Sequence, residues 1–236
     1  MKLLILAGGF GTRLQSVVSD VPKALAPVGY STFLDIQIEH WIAQGITDFV
    51  FLLHHQADQI VSFLQARQKD LLRDCQVAWT VEPLPLDTGG AVAYAVHALG
   101  LNGDVLISNA DTWLGKGVDE IQGVNSPSLA VVHLSDISRY GEVLFEENFR
   151  VNGFREKSGR KMAGWINAGL CRLSTELFSH WDGCALSLER NVFPDLVNRG
   201  VLHAVPLQAD FMDIGVPDDY VRFCMWASNG KREGFL

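Results

Sequence analysis

The chain has 236 residues, of which 48% are hydrophobic and 19% are charged; this is the composition of a globular protein and excludes a disordered chain. Its 19 Lys and Arg residues against 27 Asp and Glu residues give a formal net charge of −8. A chain this acidic is a poor candidate for general binding of nucleic acid or of an anionic membrane, but it leaves room for a small basic pocket that takes phosphates.

The first half of the chain alternates strand-like and helix-like segments. The apolar run at 2–7 is shorter than the roughly 7–15 apolar residues of a secretory signal and ends at two glycines, so it predicts a buried first strand. The predicted order continues with a helix from 34 that stops at 45, a strand at 48–53, a helix at 57–64, a strand at 76–81, a helix at 90–99 and a strand at 105–108. This alternation predicts a mostly parallel sheet with helices on both faces.

The second half changes to strands that are linked by short turns. It predicts strands at 128–134, 142–146, 151–155 and 165–173, a helix near 188–198, strands at 201–207 and 211–213, and a terminal helix at 217–227. No internal repeat and no Pro- or Ser-rich linker separates the two halves. We therefore expect one mixed α/β domain over residues 1–236, divided into halves at 1–126 and 127–236.

Cysteine usage and hydropathy predict a cytoplasmic protein. The four cysteines, Cys75, Cys171, Cys184 and Cys224, form no Cys-x-x-Cys pair, which favours reduced thiols over a disulfide or zinc framework. No stretch approaches the roughly 20 apolar residues of a membrane span, so no membrane partner is expected.

A glycine-rich loop at residues 6–14 (LAGGFGTRL) follows the first predicted strand. In open α/β sheets, ligands bind beyond the carboxyl ends of the strands, and successive backbone N–H groups form anion-binding nests. Arg13 adds a planar guanidinium suited to phosphate. Leu14 stands where a dinucleotide fingerprint needs its third glycine, and no Gly-Lys-Ser/Thr of a Walker A loop is present. The alternative is a tight turn that carries a surface arginine.

A rigid segment with a single lysine follows this loop. Pro22 and Pro27 fix the backbone on both sides of Lys23. A lysine held close to a phosphate nest predicts a second phosphate contact, whereas the alternative is the solvated side chain that is usual for lysine.

These segments resemble the signature of the sugar-1-phosphate nucleotidyltransferases, the nucleoside-diphosphate-sugar pyrophosphorylases. The resemblance covers nearly the whole chain and is carried by 8–14 (GGFGTRL), 22–28 (PKALAPV), 82–91 (EPLPLDTGGA), 109–111 (NAD), 154–157 (FREK), 167–169 (NAG) and 213–217 (DIGVP). It implies a three-layer Rossmann-like nucleotidyltransferase fold with a mostly parallel central sheet and a smaller sugar-binding β lobe. It also places the nucleotide in 1–126 and the sugar phosphate in 127–236.

The reaction that the resemblance implies is nucleotidyl transfer from a nucleoside triphosphate to a sugar 1-phosphate, with release of pyrophosphate. The attacking phosphate is already ionised, so alignment and charge neutralisation suffice without a general base. Mg²⁺ prefers oxygen ligands, usually one or two carboxylates with phosphate oxygens and water. Asp111 and Asp213, each at the end of a predicted strand, are the expected Mg²⁺ ligands, although either alone could be a turn or cap residue.

The resemblance also assigns the other site residues by position. Arg13 is expected to face the β- and γ-phosphates, and Lys23 is expected to bridge the α-phosphate and the leaving pyrophosphate; these two form the catalytic set. The expected nucleotide-binding residues are Leu6, Ala7, Gly8, Gly9, Gly11, Thr12, Asp87, Thr88, Gly89, Gly90 and Asn109. The expected sugar-phosphate-binding residues are Tyr140, Gly141, Glu156, Lys157, Asn167 and Gly169.

Asp87 suggests which base is used. It stands where related enzymes often carry glycine, and its carboxylate could accept hydrogen bonds from N1–H and N2–H of guanine, an edge that uracil and thymine lack. Acidic residues also occur at this place in enzymes with other bases, so the base stays open. Gly89 and Gly90 are expected to let the base lie close to the backbone.

Within the family, the run at 15–23 (QSVVSDVPK) resembles the D-glycero-D-manno-heptose 1-phosphate guanylyltransferases, which make GDP-heptose for capsule or lipopolysaccharide. The segments at 136–143 (DISRYGEV) and 211–220 (FMDIGVPDDY) support the same subgroup. We therefore expect GTP and this heptose phosphate as substrates, and the family resemblance leaves a homodimer open.

The sequence leaves several alternatives open. Within the family they are a mannose-1-phosphate guanylyltransferase and a hexose- or muramate-1-phosphate uridylyltransferase. A nicotinamide-dependent oxidoreductase is disfavoured by the missing third glycine. A catalytically silent sugar-nucleotide sensor is disfavoured by the retention of Arg13, Lys23, Asp111 and Asp213.

Overall fold

The computed structural model describes residues 1–228, which divide into two compact units. The first unit comprises 1–85, 108–115 and the chain from 210 onward, and the second comprises 86–107 and 116–209. The chain passes between the units more than once, so their boundaries do not coincide with the expected halves. The single domain over 1–236 stays a prediction.

The strands are β1 (Leu3–Leu6), β2 (Pro27–Val28), β3 (Ser31–Thr32), β4 (Asp48–Leu53), β5 (Gln76–Val81), β6 (Asp104–Asn109), β7 (Thr112–Leu114), β8 (Ser128–Leu134), β9 (Glu142–Phe145), β10 (Val151–Arg155), β11 (Gly164–Ser174), β12 (His203–Leu207) and β13 (Phe211–Asp213). The helices are α1 (Phe33–Ala43), α2 (Ala57–Arg67), α3 (Asp87–Leu99), α4 (Val118–Gln122), α5 (Phe193–Asn198) and α6 (Pro217–Ser228). Short 3₁₀ turns occupy Lys23–Leu25 and Thr175–Phe178, and a π-helical turn at Leu188–Val192 leads into α5.

Most of the predicted elements are confirmed, and the differences lie in short elements and helix ends. The short pieces β2, β3, β7 and α4 were not predicted, because segments of two to five residues carry no readable hydrophobic period. Helix α3 begins at Asp87, three residues before the predicted start, so the whole DTGG run at 87–90 is helical.

The first unit is built on parallel strands. Strands β1, β4 and β5 pair in parallel, with Leu3 opposite Phe49 and Asp48 opposite Gln76, and the end of β6 lies beside β1. Strands β1 and β4 are almost entirely buried and apolar, as expected for parallel strands covered on both faces. Their carboxyl ends share one edge of the sheet, and the glycine-rich loop begins there.

A hydrophobic cluster in the first unit joins segments that are far apart in the sequence. Helix α6 contributes Tyr220 and Phe223, which pack in one cluster with Leu14 of the glycine-rich loop and with Met212 and Ile214. The Tyr220 hydroxyl donates a hydrogen bond to the Pro27 carbonyl, and burial raises the pKa of Tyr220 to about 12. This cluster therefore anchors the loop, the lysine segment and the β13 turn to a common base.

The second unit is a mixed sheet. Strand β8 pairs in antiparallel with β11 and in parallel with β12, and β9 pairs in antiparallel with β10 and β11. The cysteines are unpaired throughout the described part of the chain. None of the helices within residues 1–228 is both long enough and apolar enough to cross a membrane.

Arg172 on β11 fastens three segments of the second unit. Its guanidinium donates to Asp104 Oδ2 from Nε (3.0 Å) and Nη2 (2.8 Å), and Nη1 donates to the carbonyls of Gln122 (2.9 Å) and Val124 (2.7 Å). The Arg172 side chain is 18% exposed. Loss of the guanidinium would leave a half-buried carboxylate and two carbonyls without their partner.

We predict that Arg172→Ala lowers the free energy of unfolding by about 3 kcal/mol, because the partners of a largely buried charge are left unsatisfied. Arg199→Ala is the matched control, since Arg199 forms an exposed pair with Asp195 one helical turn away. That substitution should cost less than about 0.5 kcal/mol. Equilibrium unfolding in urea measures both, and equal losses for the two variants would contradict the anchoring role.

Candidate active site

A cleft of about 320 Å³ lies in the first unit at the carboxyl end of β1. Eight of the predicted site residues line it: Leu6, Ala7, Gly9, Gly11, Thr12, Arg13, Lys23 and Asp111. Phe10, Ala24, Ala110 and Gly215 complete the lining. The structure therefore brings the predicted phosphate loop, the predicted lysine and one of the two predicted metal ligands to a single cleft.

Close backbone approaches explain two glycines of the loop. Gly11 has φ of +62°, and a Cβ there would lie 3.1 Å from Lys23 Cβ. A Cβ on Gly8 would lie 3.0 Å from the backbone nitrogen of His54. The loop consequently packs directly against the lysine segment and the end of β4, which a larger residue would prevent.

Lys23 forms the centre of an ion cluster. Its Nζ lies 2.6 Å from Asp111 Oδ2 and 3.7 Å from Asp213 Oδ1. The Lys23 side chain is only 11% exposed, whereas those of Asp111 and Asp213 are 37% and 21% exposed, so the ammonium is largely shielded from solvent and the carboxylates are partly open to it. The two predicted metal ligands and one predicted catalytic cation are thus direct neighbours.

Gly215 marks the point at which the charged groups converge. A Cβ built on Gly215 would lie 2.6 Å from Asp213 Oδ1, 2.8 Å from Lys23 Nζ and 3.1 Å from Arg13 Nη2. The Gly215 N–H donates to Asp213 Oδ1 (2.7 Å), which fixes that carboxylate. Glycine is therefore the residue that leaves room for two cations and one carboxylate at this turn.

Strand pairing holds the two aspartates together. Asp213 ends β13 and lies opposite Thr112 of β7, the residue that follows Asp111. The Ile214 N–H donates to the Asp111 carbonyl (3.0 Å), and Thr112 Oγ1 donates to Asp111 Oδ1 (3.2 Å). The register of this small antiparallel pair thus sets the separation of the two carboxylates.

Gln37 braces the same turn and was missed from the sequence. Its Nε2 donates to the carbonyls of Asn109 (2.8 Å) and Thr112 (2.9 Å), and the residue is 1% exposed. The signal was present, since Gln37 lies three residues after Leu34 and four before Trp41, on the apolar face of α1. Asn109 itself, a predicted nucleotide-binding residue, ends β6 beside this turn.

Glu82 is a second residue that was given no role. It directly follows β5 and is 7% exposed, and its backbone N–H donates to the Leu53 carbonyl. Buried acids are uncommon unless they are paired, and this one stands at the carboxyl end of a parallel strand, the edge at which such sheets bind ligands. Glu82 opens the segment 82–91 (EPLPLDTGGA), in which the sequence assigned roles only to Asp87, Thr88 and the two glycines.

In the second unit, the predicted base loop at the start of α3 is tied to the segment 186–190. Asp87 has φ of +63°, a left-handed conformation that Asp tolerates better than most residues. Its carboxylate pairs with Arg190 and accepts a hydrogen bond from the Thr88 N–H (2.7 Å). Thr88 Oγ1 donates to Glu189 Oε2 (2.7 Å) and accepts from the Leu188 N–H (2.9 Å).

The two glycines of this loop contact protein in the structure. A Cβ on Gly89 would lie 3.0 Å from the Leu186 carbonyl oxygen, and one on Gly90 would lie 2.9 Å from Leu86 Cβ. In the structure, these glycines therefore allow other segments of the same chain to pack closely against α3. Their contact with a nucleotide base stays a prediction.

The six predicted sugar-phosphate residues belong to the neighbouring strands β9, β10 and β11 or to the turns beside them. Asn167 and Gly169 lie on β11, where Gly169 has φ of +74° and donates its N–H to Asn167 Oδ1 (2.8 Å). Gly141 precedes β9 beside the Arg155 carbonyl. Glu156 and Lys157 follow β10 and are exposed, and Tyr140 is half-buried before β9.

A larger cavity of about 1130 Å³ in the second unit contains none of the predicted site residues. Two of the charged pairs in its lining are already formed within the wall: Arg172 binds Asp104 and Arg199 binds Asp195. Of these two cavities, the smaller one contains the predicted phosphate-binding cations Arg13 and Lys23.

Comparison with known proteins agrees with this geometry. The nucleotidyl transferase family model matches residues 2–228. A D-glycero-alpha-D-manno-heptose 1-phosphate guanylyltransferase of Campylobacter jejuni is 30% identical over 94% of this chain and 98% of its own length. A mannose-1-phosphate guanyltransferase of Schizosaccharomyces pombe is also 30% identical, and this chain spans 66% of that relative.

Solved structures give the same result. HddC from Yersinia pseudotuberculosis, crystallised with GMP-PN, superimposes with a TM-score of 0.82 at 31% identity and covers 95% of this chain and 98% of its own. A glucose-1-phosphate thymidylyltransferase from Bacillus anthracis, at 19% identity and a TM-score of 0.81, shows the fold alone. These likenesses confirm the predicted α/β, Rossmann-like nucleotidyltransferase fold. The chain belongs to the nucleotidyl transferase family.

Proposed function

We propose that this protein transfers a nucleotidyl group from GTP to D-glycero-D-manno-heptose 1-phosphate and releases pyrophosphate. One observation supports the transfer chemistry: the charged ends of Arg13, Lys23 and Asp213 all lie close to Gly215. Asp111 forms an ion pair with the same lysine. Two comparisons support this pair of substrates: the Campylobacter relative is named as a guanylyltransferase for this heptose phosphate, and HddC was crystallised with GMP-PN.

In the proposed reaction, an oxygen of the sugar phosphate attacks the α-phosphorus of the triphosphate. One P–O bond forms at the α-phosphorus as the bond to the β-phosphate breaks, and the electron pair leaves with pyrophosphate. The attacking oxygen is already ionised, so this chain needs no general base. Arg13 and Lys23 neutralise negative charge on the transferred and leaving phosphates, and the loop at 8–12 offers backbone N–H groups to them.

The residues present fit a magnesium ion. Asp111 and Asp213 already share one cation in the structure, the Lys23 ammonium, and both provide the oxygen ligands that Mg²⁺ prefers. Within residues 1–228, no group of three or more His, Cys, Asp or Glu side chains is arranged to hold a metal. Two carboxylates completed by phosphate oxygens and water suit such a site. Bound Mg²⁺ would supply charge stabilisation at the phosphoryl group.

The finer assignments are part of the proposal. Mannose 1-phosphate is the second candidate sugar, because several curated relatives are mannose-1-phosphate guanyltransferases. A hexose- or muramate-1-phosphate uridylyltransferase is a third candidate. A cytoplasmic location, a homodimer and a product that serves capsule or lipopolysaccharide synthesis stay predictions.

A substrate matrix tests the proposed function. Pyrophosphate release is measured with Mg²⁺ for each of the four nucleoside triphosphates against heptose, mannose, glucose and muramate 1-phosphates. The proposal expects turnover with GTP and the heptose phosphate above all other pairs. Turnover with UTP and hexose phosphates but not with GTP would overturn the substrate assignment, and silence with every pair would favour a nucleotide sensor.

We predict that Gly215→Ala lowers kcat by roughly a hundredfold while the protein stays folded. The added methyl displaces the ends of Lys23, Arg13 and Asp213, and a misplacement of about 1 Å at reacting groups has an effect of this size. The backbone itself accepts alanine, because Gly215 is not among the glycines with positive φ. Steady-state pyrophosphate release and a thermal unfolding curve are the measurements.

Gly153→Ala is the matched control for this variant. Gly153 lies in β10, and the nearest atom to an added Cβ is Leu144 Cδ1 at 3.9 Å, an ordinary contact. Its kcat should equal that of the wild type. An unchanged kcat in Gly215→Ala would show that the charged groups around Gly215 do not take part in the reaction.

We predict that Asp87→Gly lowers kcat/KM for GTP by about 10- to 100-fold and leaves that for UTP nearly unchanged. The range corresponds to the loss of hydrogen bonds from guanine to a charged acceptor. Glycine is the appropriate substitute, since it adopts the φ of +63° found at Asp87 without strain. Initial rates with both nucleotides at one sugar phosphate provide the comparison.

Arg190→Ala separates base recognition from loop anchoring. Arg190 pairs with Asp87, so its removal releases the loop while the carboxylate remains. If Asp87 contacts guanine, this variant keeps its preference for GTP over UTP. Equal losses with both nucleotides in Asp87→Gly, matched by the same losses in Arg190→Ala, would mean that the aspartate only anchors the loop.

A further inference from the structure

We propose that Lys23 is an exchangeable cation. In the nucleotide-free protein its ammonium neutralises Asp111 and Asp213, and a divalent metal gains full access to these carboxylates only when nucleotide phosphates draw the ammonium away. This inference rests on the proposed function, since it takes both aspartates as metal ligands. Its consequence is that the metal alone binds weakly and that metal and nucleotide binding promote each other.

The geometry of the lysine supports the exchange. Its Nζ lies 2.6 Å from Asp111 Oδ2 and 3.7 Å from Asp213 Oδ1, so one positive charge already serves both carboxylates. The backbone is fixed by Pro22 and by the 3₁₀ turn that starts at Lys23. The flexible part is the four-carbon side chain, which can turn its ammonium from the carboxylates to a phosphate without any movement of the loop.

The balance of charges explains why metal and nucleotide should bind together. The charges of these four side chains, the cations Arg13 and Lys23 and the carboxylates Asp111 and Asp213, sum to zero. A divalent cation added alone is repelled by the neighbouring ammonium, and a triphosphate added alone is repelled by the carboxylates. When both bind, the lysine pairs with phosphate and the metal pairs with the carboxylates. Such coupling is reciprocal by thermodynamic necessity.

The test measures Mn²⁺ binding, without nucleotide, from the electron paramagnetic resonance signal of free Mn²⁺. Lys23→Gln removes the competing charge and should bind Mn²⁺ at least about tenfold more tightly than the wild type, equivalent to about 1.4 kcal/mol. Lys23→Arg keeps the charge and should bind like the wild type. The matched control is Lys2→Gln, because Lys2 also pairs with an aspartate, Asp48, at the amino end of β1. It should show no change.

Two further experiments test whether the change in Mn²⁺ affinity arises at this site. A nonhydrolysable GTP analogue should tighten Mn²⁺ binding by the wild type strongly and by Lys23→Gln much less, because the lysine no longer competes there. Adding Asp111→Asn to Lys23→Gln should abolish the gain in affinity. Because a bound ion stabilises the folded state, Mn²⁺ should also raise the Tm of nucleotide-free Lys23→Gln more than that of the wild type.

The outcomes distinguish this inference from the proposed function. Equal Mn²⁺ affinity in Lys23→Gln and wild type, with tight binding by both in the presence of the analogue, would overturn the exchange and leave the metal site standing. A gain that Lys23→Arg shares would also overturn it, since side-chain size rather than charge would then be responsible. Absence of Mn²⁺ binding in every variant, even with the analogue, would remove the metal assignment itself.

Discussion

The candidate active site depends on one interaction, the placement of the Lys23 ammonium between the carboxylates of Asp111 and Asp213. Two carboxylates in a partly buried turn repel each other unless a cation lies between them. The pairing of β13 with β7 brings the two carboxylates close together, and the positive charge of the lysine offsets the repulsion between them. Segments that lie 88 residues apart in the sequence thereby meet at one point.

The same constraint explains the small residues around the cleft. Gly11 lets the phosphate loop pack on Lys23, and Gly215 leaves space for three charged groups at one turn. Behind them, the cluster that includes Tyr220 holds the loop, the lysine segment and the β13 turn to a single hydrophobic base. Rigid placement of opposite charges is what phosphoryl chemistry without a general base requires, because no bond to the protein is made or broken.

The sequence predicted this arrangement well where the signals were local or carried by a family resemblance. Strand β4 was located because the apolar run at 49–53 is short and contains aromatic and β-branched residues, which favours a strand over a helix. The contact of Lys23 with Asp111 was not predicted, since nothing in the spacing shows that a predicted phosphate ligand rests on a predicted metal ligand. Gln37 and the Asp87–Arg190 pair depend on tertiary contacts between distant segments, and a single sequence does not display these.

The central claim is that Asp111 and Asp213 act as one unit around a single cation. A double-mutant cycle on kcat/KM for pyrophosphate release tests it most directly, with Asp111→Asn, Asp213→Asn and the double variant. Residues that act as a unit are strongly non-additive, so we predict that each single substitution lowers kcat/KM by at least about a hundredfold and that the double variant is hardly worse. Losses that multiply in the double variant would show that the two carboxylates act independently, which would contradict this account.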